Sequence, residues 1–318
     1  MKRLVVLASL LVLALVPGFA SAQSWLLPGL PALPSFGGNG CGSCPGGLGG
    51  VSIGADVAYV GYSRSTTFEL TSQGQGVLAG GTDFRQGYPV HGIQLSGMAT
   101  TAPNDRMTLF ARGTWLLPWN GESFETTAFG AARPERTWTT STQWWTAEGA
   151  GAWTLNGASA VVAGLRYDSL QTNFSDPTEP NVIFGQIGEA DLQVNLWIPY
   201  VGIVVQQGPA KFGVIGTPWV PGHVRYRQTH FTTVRMSGSG AVRNGYFLEA
   251  FGELNANLMG ATAGLFAKWT LVHTRSVASV SDRVGGGVIL GNDTFDITFD
   301  RPNWILGAQA ALKFNSPF

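Results

Sequence analysis

Seven acidic residues, Asp56, Glu148, Asp168, Glu189, Asp191, Glu249 and Glu253, fall on alternate positions of largely apolar segments, as do four basic ones, Arg112, Arg166, Lys268 and Lys313. Enclosed together, such groups pair and hydrogen-bond, because an unpaired charge in a confined site is costly. A surplus of carboxylates along a narrow bore would instead favour cations. A third chemistry, activation of water, needs convergent carboxylates and a histidine within hydrogen-bond reach. Its candidates are His223 and His230 in VPGHVRYRQTHF, and Glu122, Glu125 and Glu135 in WNGESFETTAFGAARPERTW. The four histidines, with His91 and His273, are too scattered to read as a metal site. Asp293, Asp296 and Asp300 offer oxygens for Ca²⁺, without the EF-hand pattern. Neither GxSxG nor HExxH occurs, and no residue pattern points to a cofactor.

Which elements could hold these groups follows from period and composition. MKRLVVLASLLVLALVPGFASA has early cations, an apolar stretch and an Ala-Ser-Ala ending, so residues 1–22 read as a cleavable secretory signal. Beyond it no apolar run reaches the roughly 20 residues of a spanning helix, so any membrane residence comes from strands. Only 12% of residues are charged, while glycine reaches 44 and tryptophan 11. That balance fits a wall with lipid outside and tight turns. A formal net charge of zero offers no basic footprint for nucleic acid.

Residues 23–50 are rich in glycine and proline and read as a periplasmic tether or a segment in a barrel mouth. They carry Cys41 and Cys44 as CGSC. A local disulfide is the first reading there; metal or haem attachment and redox chemistry stay open, although the strand and helix of a redox site are missing from the pattern.

From Val51 onward ten segments alternate with period two. Short turns such as Asn156-Gly157 and Met259-Gly260 alternate with long connections near 65–87, 118–138, 171–187, 219–244 and 275–303. In the eighth segment Tyr246, Leu248, Ala250, Leu254 and Ala256 oppose Glu249, Glu253 and Asn255. In the sixth, Leu192, Val194, Leu196 and Ile198 oppose Glu189, Asp191, Gln193 and Asn195. Setting every apolar row outward puts all eleven charges named above in the lumen. Trp115, Trp145, Tyr167, Trp269 and Trp304 then gather toward the long connections, and Trp153, Phe212, Phe314 and Phe318 toward the turns, as two girdles.

With these features residues 51–318 resemble the bacterial outer-membrane β-barrel class: an antiparallel up-and-down barrel of about ten strands, with short periplasmic turns and long extracellular loops. In that class, an aromatic last residue on an alternating final strand, here Phe318 with Phe314 in its row, resembles the signal read by the barrel-assembly machinery. The resemblance implies two partners, outer-membrane lipid and that machinery. The ten-strand plan is also similar to the omptin proteases, whose chemistry pairs two aspartates with an Asp–His couple at the extracellular rim. Gln228 stands where an aspartate two residues before His230 would be wanted, and the second long connection has no aspartate pair. The expected function is therefore non-enzymatic, structural or surface-interacting with a largely filled polar lumen. A narrow, weakly cation-preferring channel and a rim-active protease are the alternatives.

Overall fold

The computed structural model describes residues 51–62, 66–72, 83–104, 106–128, 135–156, 158–178, 187–230, 234–258, 261–284 and 288–314. The signal, the tether with Cys41 and Cys44, and Phe318 lie outside them. The described chain forms thirteen antiparallel strands. They are β1 (Val51–Tyr62), β2 (Thr66–Ser72), β3 (Asp83–Tyr88), β4 (Gly92–Asn104), β5 (Met107–Ala128), β6 (Glu135–Asn156), β7 (Ser159–Thr178), β8 (Ile187–Gln207), β9 (Ala210–Thr217), β10 (Gly222–His230), β11 (Val234–Leu258), β12 (Ala261–Val284) and β13 (Val288–Phe314).

Pairing turns these strands into ten staves. β1 and β2 both pair with β13, β4 and β3 both pair with β5, and β9 and β10 both lie between β8 and β11. Each couple is therefore the lower and upper half of one interrupted stave. The lower ring closes through β1 between β13 and β4, and the upper ring through β2 between β13 and β3. Closure leaves no edge with unpaired backbone groups, which is the condition for β-structure to cross lipid.

Local chemistry sets the ends and the interruptions. Asn104 and Asn156 accept bonds from the backbone N–H groups of Arg106 and Ala158, at 3.0 and 3.1 Å, closing two lower turns. Gly208 turns the third with φ of +58°, a conformation that disfavours a side chain. At the interruptions, Pro89 and Pro221 have no N–H for a ladder. The Asn303 amide donates to the carbonyls of Val90, between β3 and β4, and of Gly61, at the end of β1, at 3.1 and 3.4 Å, stitching two breaks.

The long connections expected from the sequence are mostly ladder. β13 alone runs 27 residues, roughly 90 Å of extended chain, against the nine to eleven residues that a membrane crossing takes. The wall therefore continues well above the lipid. Tyr59, Trp115, Trp145, Trp197 and Trp304 project outward as the upper girdle, with Tyr167 ringed by Trp145 and Trp197 at 5.1 and 4.7 Å. Trp153 and Phe212 project outward below. Between the girdles Val57, Leu165, Val201, Ile203, Leu254, Leu265 and Leu306 meet lipid.

Polarity inverts at the upper girdle. Below it the outer row is apolar and the inner row carries the charges; above it the inner row is mostly apolar, with some hydroxyl and amide side chains and no described charge beyond Arg301 and Asp168 at the girdle, and the outer row is mostly polar. The reason is the outer solvent: lipid below demands an apolar exterior, while water above demands a polar one and leaves the bore as the place to bury carbon. Phe68, Leu70, Trp138, Phe174, Leu192, Tyr226, Phe295 and Phe299 fill the upper bore. Phe68 and Tyr226, four staves apart, touch across it with ring centroids 4.9 Å apart. The upper tier is thus a soluble-type core standing on a membrane-type barrel.

Candidate functional site

The inward polar row of the lower tier gathers its charges into bonded clusters. Arg112 on β5 donates to Asp56 on β1 at 2.7 Å and to Ser96 on β4 at 3.3 Å. Arg166 on β7 reaches Glu249 on β11 at 3.0 Å and Glu148 on β6 at 3.2 Å. The Tyr200 hydroxyl also donates to Glu148. Gly164 makes this possible, because a Cβ there would meet Ala150 at 2.5 Å and the Tyr200 ring at 2.6 Å. Below, Gln309 bonds Asn255 at 2.9 Å and approaches Glu253 at 3.5 Å.

At the height of the upper girdle one pair crosses the whole bore. Arg301 on β13 grips Asp168 on β7 with both terminal nitrogens, one of them at 3.1 Å. These staves lie five apart in a ring of ten, so the bond joins opposite walls. Asp168 also accepts from the Trp144 indole at 2.7 Å, and the guanidinium lies 4.3 Å from that ring's centroid. Each residue of the pair is 2% exposed. A bidentate, fully enclosed arginine–carboxylate contact of this kind is geometrically specific.

Of the residues expected in the lumen, Asp56, Arg112, Glu148, Arg166, Asp168, Glu249, Glu253 and Lys268 lie on inward rows. Glu189 and Asp191 do not, and the expectation is corrected. They point outward on β8 above the girdle, while Leu192, Val194, Leu196 and Ile198 point in. A single rule, polar means inward, fails there because water rather than lipid surrounds that stretch. The backbone of Lys313 pairs with Ser52, and that of Phe314 with Val51, in the closing strand; their side chains are outside the described set.

Two lumen cations escaped the sequence reading. Arg301 sat in a supposed loop, yet the odd-numbered inward row of Gln309, Ile305 and Asn303 runs on through it to Phe299. Lys211 opens β9 opposite Glu253 and is betrayed only by the outward Phe212 beside it. With these changes the described lumen holds five carboxylates and five cations. The acid surplus that suggested cation preference is gone.

Lys211 is 1% exposed and its ammonium has no hydrogen-bond partner among the described residues. An enclosed, unsatisfied charge costs more than a methyl group of similar reach. Glu253 faces Lys211 across the ladder and is its attracting charge, so both are replaced, and Lys211→Met/Glu253→Gln is expected to assemble normally and to unfold at higher temperature. The gain should be about 1–3 kcal/mol, read from the temperature at which the fast-migrating folded band disappears on a detergent gel.

Among the described residues the rim candidates do not converge. His223 and Glu122 are exposed on the outer wall. Gln228 points inward, where it accepts from the Tyr226 hydroxyl at 3.0 Å. His273 is bonded to Asp300 at 2.6 Å and stacks on Tyr246, on the outside. His91 lies at the break before β4, and Asp296 is on the outer wall. The side chains of Glu125, Glu135, His230 and Asp293 are outside the described set. Among the described residues no group of three or more His, Cys, Asp and Glu could hold a metal ion.

No protein-family model matches the chain, and no curated protein matches it in sequence. Among solved structures it is similar to the outer membrane protease OmpT from Escherichia coli, with 12% identity, 83% of this chain and 97% of that chain covered, and a TM-score of 0.58. Weaker likenesses include the translocator domain of the autotransporter NalP from Neisseria meningitidis, with 14% identity, 83% and 88% coverage and a TM-score of 0.36. A Pseudomonas aeruginosa FadL homologue gives 10% identity, 84% and 91% coverage and a TM-score of 0.33. At such identities the likeness to OmpT is one of fold. With its closed antiparallel ladder, lipid-facing belt and aromatic girdles, the chain is a transmembrane β-barrel of the bacterial outer membrane.

Proposed function

We propose that this barrel is a closed, non-enzymatic outer-membrane protein whose task is structural or surface-interacting. It carries a rigid β-walled mast above the membrane, and partners meet the mast's polar exterior and connecting loops. The observation that carries this reading is the Arg301–Asp168 contact between opposite walls, with the apolar core stacked directly above it. Together they block the bore where a channel would have to be open. The cavities within the charge network are small, about 30 and 10 Å³, which is room for a water or two.

The protease activity named for OmpT belongs to that protein. Among the described residues the bore beneath the rim is filled by Phe, Leu and Tyr side chains, which supports the non-enzymatic reading. Phe314 and Phe318 are proposed as the signal for the barrel-assembly machinery, and outer-membrane lipid is the medium the belt requires.

Purified protein in planar bilayers is expected to give no conductance above bare lipid, and peptide cleavage equal to that of a His230→Ala variant. Stable conductance steps would overturn the closed-lumen reading. Cleavage lost in His230→Ala would overturn the non-enzymatic one.

A further inference from the structure

Above the upper girdle the outer wall of β6, β7 and β8 differs from the rest of the exterior. Paired across these staves are Ser169 with Asn195, then Gln143, Gln171 and Gln193, then Ser141 with Asn173. All lie on outward rows and none is charged. The adjoining β10 and, beyond it, β12 present Arg225, Arg227, His273 and Arg275 above the girdle instead. Water accepts either kind of side chain, so hydration alone does not account for the difference. A glutamine amide both donates and accepts, as a sugar hydroxyl does. Three glutamines on neighbouring strands span about 10 Å, the length of a disaccharide. Ser169 donates to the Asn195 amide oxygen at 2.8 Å, which fixes the orientation of that amide.

Directly below these amides lies an open groove of about 630 Å³. The aromatic cluster of Trp145, Tyr167 and Trp197 borders it, with Leu165, Ala147 and Gly149 below. Glu148 also lines it, but its carboxylate is held inside the lumen by Arg166 and Tyr200. A Cβ on Gly149 would meet no atom closer than 4.0 Å. Packing within the wall therefore does not require glycine there, and the missing side chain serves to deepen the groove.

We propose that β6, β7 and β8 form a site for an outer-leaflet glycolipid whose headgroup is an uncharged sugar. An acyl chain lies in the groove against Leu165 and over Gly149, with the aromatic rings at the level where chain becomes headgroup. The sugar stands on Trp145 and Trp197, whose electron-rich ring faces suit the polarised C–H bonds of a pyranose. Its hydroxyls exchange hydrogen bonds with Gln171, Gln193 and Asn195. The headgroup is neutral because the described side chains of these three staves offer no outward cation for a phosphate above the girdle. It is a lipid rather than a free saccharide because the groove runs into the lipid-facing belt at Leu165. The proposal deepens the surface-interacting reading, and because the site is on the outer wall its failure would leave the closed bore and the absence of cleavage untouched.

Native mass spectrometry of the full chain in detergent micelles tests this, with digalactosyl diacylglycerol and phosphatidylglycerol of the same acyl chains as probes. One digalactosyl diacylglycerol is expected to stay bound at a concentration about tenfold below that needed for phosphatidylglycerol, the equivalent of one or two net hydrogen bonds. Gln171→Ala/Gln193→Ala should abolish this preference and leave heat-modifiable folding intact. Gly149→Leu, which fills the groove, should weaken glycolipid retention by a similar factor, and free digalactose should not compete. Equal retention of the two lipids, a preference that survives the glutamine variant, or competition by free digalactose at the glycolipid's own concentration would overturn the proposal.

Discussion

Asp168→Leu is expected to be the most damaging single change in the lumen. It removes the acceptor that holds both terminal nitrogens of Arg301 and the Trp144 indole, and it leaves a guanidinium enclosed without its counter-ion. Breaking one side of a buried pair costs about 3–5 kcal/mol, because the surviving charge stays in the protein. Removing both partners costs much less. The double variant Asp168→Leu/Arg301→Met should therefore recover most of the lost stability, giving a large non-additive coupling in a double-mutant cycle. The readout is the unfolding temperature of the folded band or a urea midpoint in detergent. Additive losses would show that the two walls are not joined through this contact.

The second large effect concerns β8, where neighbouring residues are expected to answer oppositely to the same chemistry. Leu192 is wholly buried in the upper bore, whereas Asp191 faces outward above the girdle. Leu192→Asp forces an unpaired carboxylate into an apolar core. Several kcal/mol of destabilisation is expected, on the order of 3–5 kcal/mol, or failure to assemble. Asp191→Leu exposes one more apolar side chain to water and should stay within about 0.5 kcal/mol of the parent. A uniformly polar lumen would give the reverse order. Comparing the amounts of heat-modifiable protein in the outer membrane for the two variants decides between them.

Strand alternation, the lower turns and the girdles were legible because each depends on local period and composition. Asn156 and Gly157 mark a turn wherever they stand, and Trp145 and Trp304 sit at an interface because their amphipathic rings suit one. The direction of a polar row was not local information. Glu249 and Asp191 stand in similar alternating contexts, and only the height of each on the stave determines which solvent lies outside. Glu249 stands at lipid height and turns in; Asp191 stands in water and turns out. The same blind spot hid Arg301, whose row seemed to end at the membrane while the ladder went on through Phe299 and Ile297. The pairing of Arg301 with Asp168 joins residues 133 positions apart, and no spacing rule reaches that far.

This two-tier arrangement also explains why a barrel of ten staves is tolerated without a plug domain in the described chain. Lipid-height positions turn their charges into the bore, where most of them pair, and water-height positions satisfy theirs by hydration on the outside. Neither tier asks a charged group to meet hydrocarbon.

The most direct test of the inversion is thiol accessibility along β8 in intact cells. Single cysteines at positions 192 to 196 would be introduced into a Cys41→Ser/Cys44→Ser background and treated with a membrane-impermeant maleimide. Gln193→Cys and Asn195→Cys are expected to label from outside the cell, while Leu192→Cys, Val194→Cys and Leu196→Cys stay unlabelled until the barrel is unfolded. Labelling at 192, 194 and 196 with protection at 193 and 195 would contradict the account.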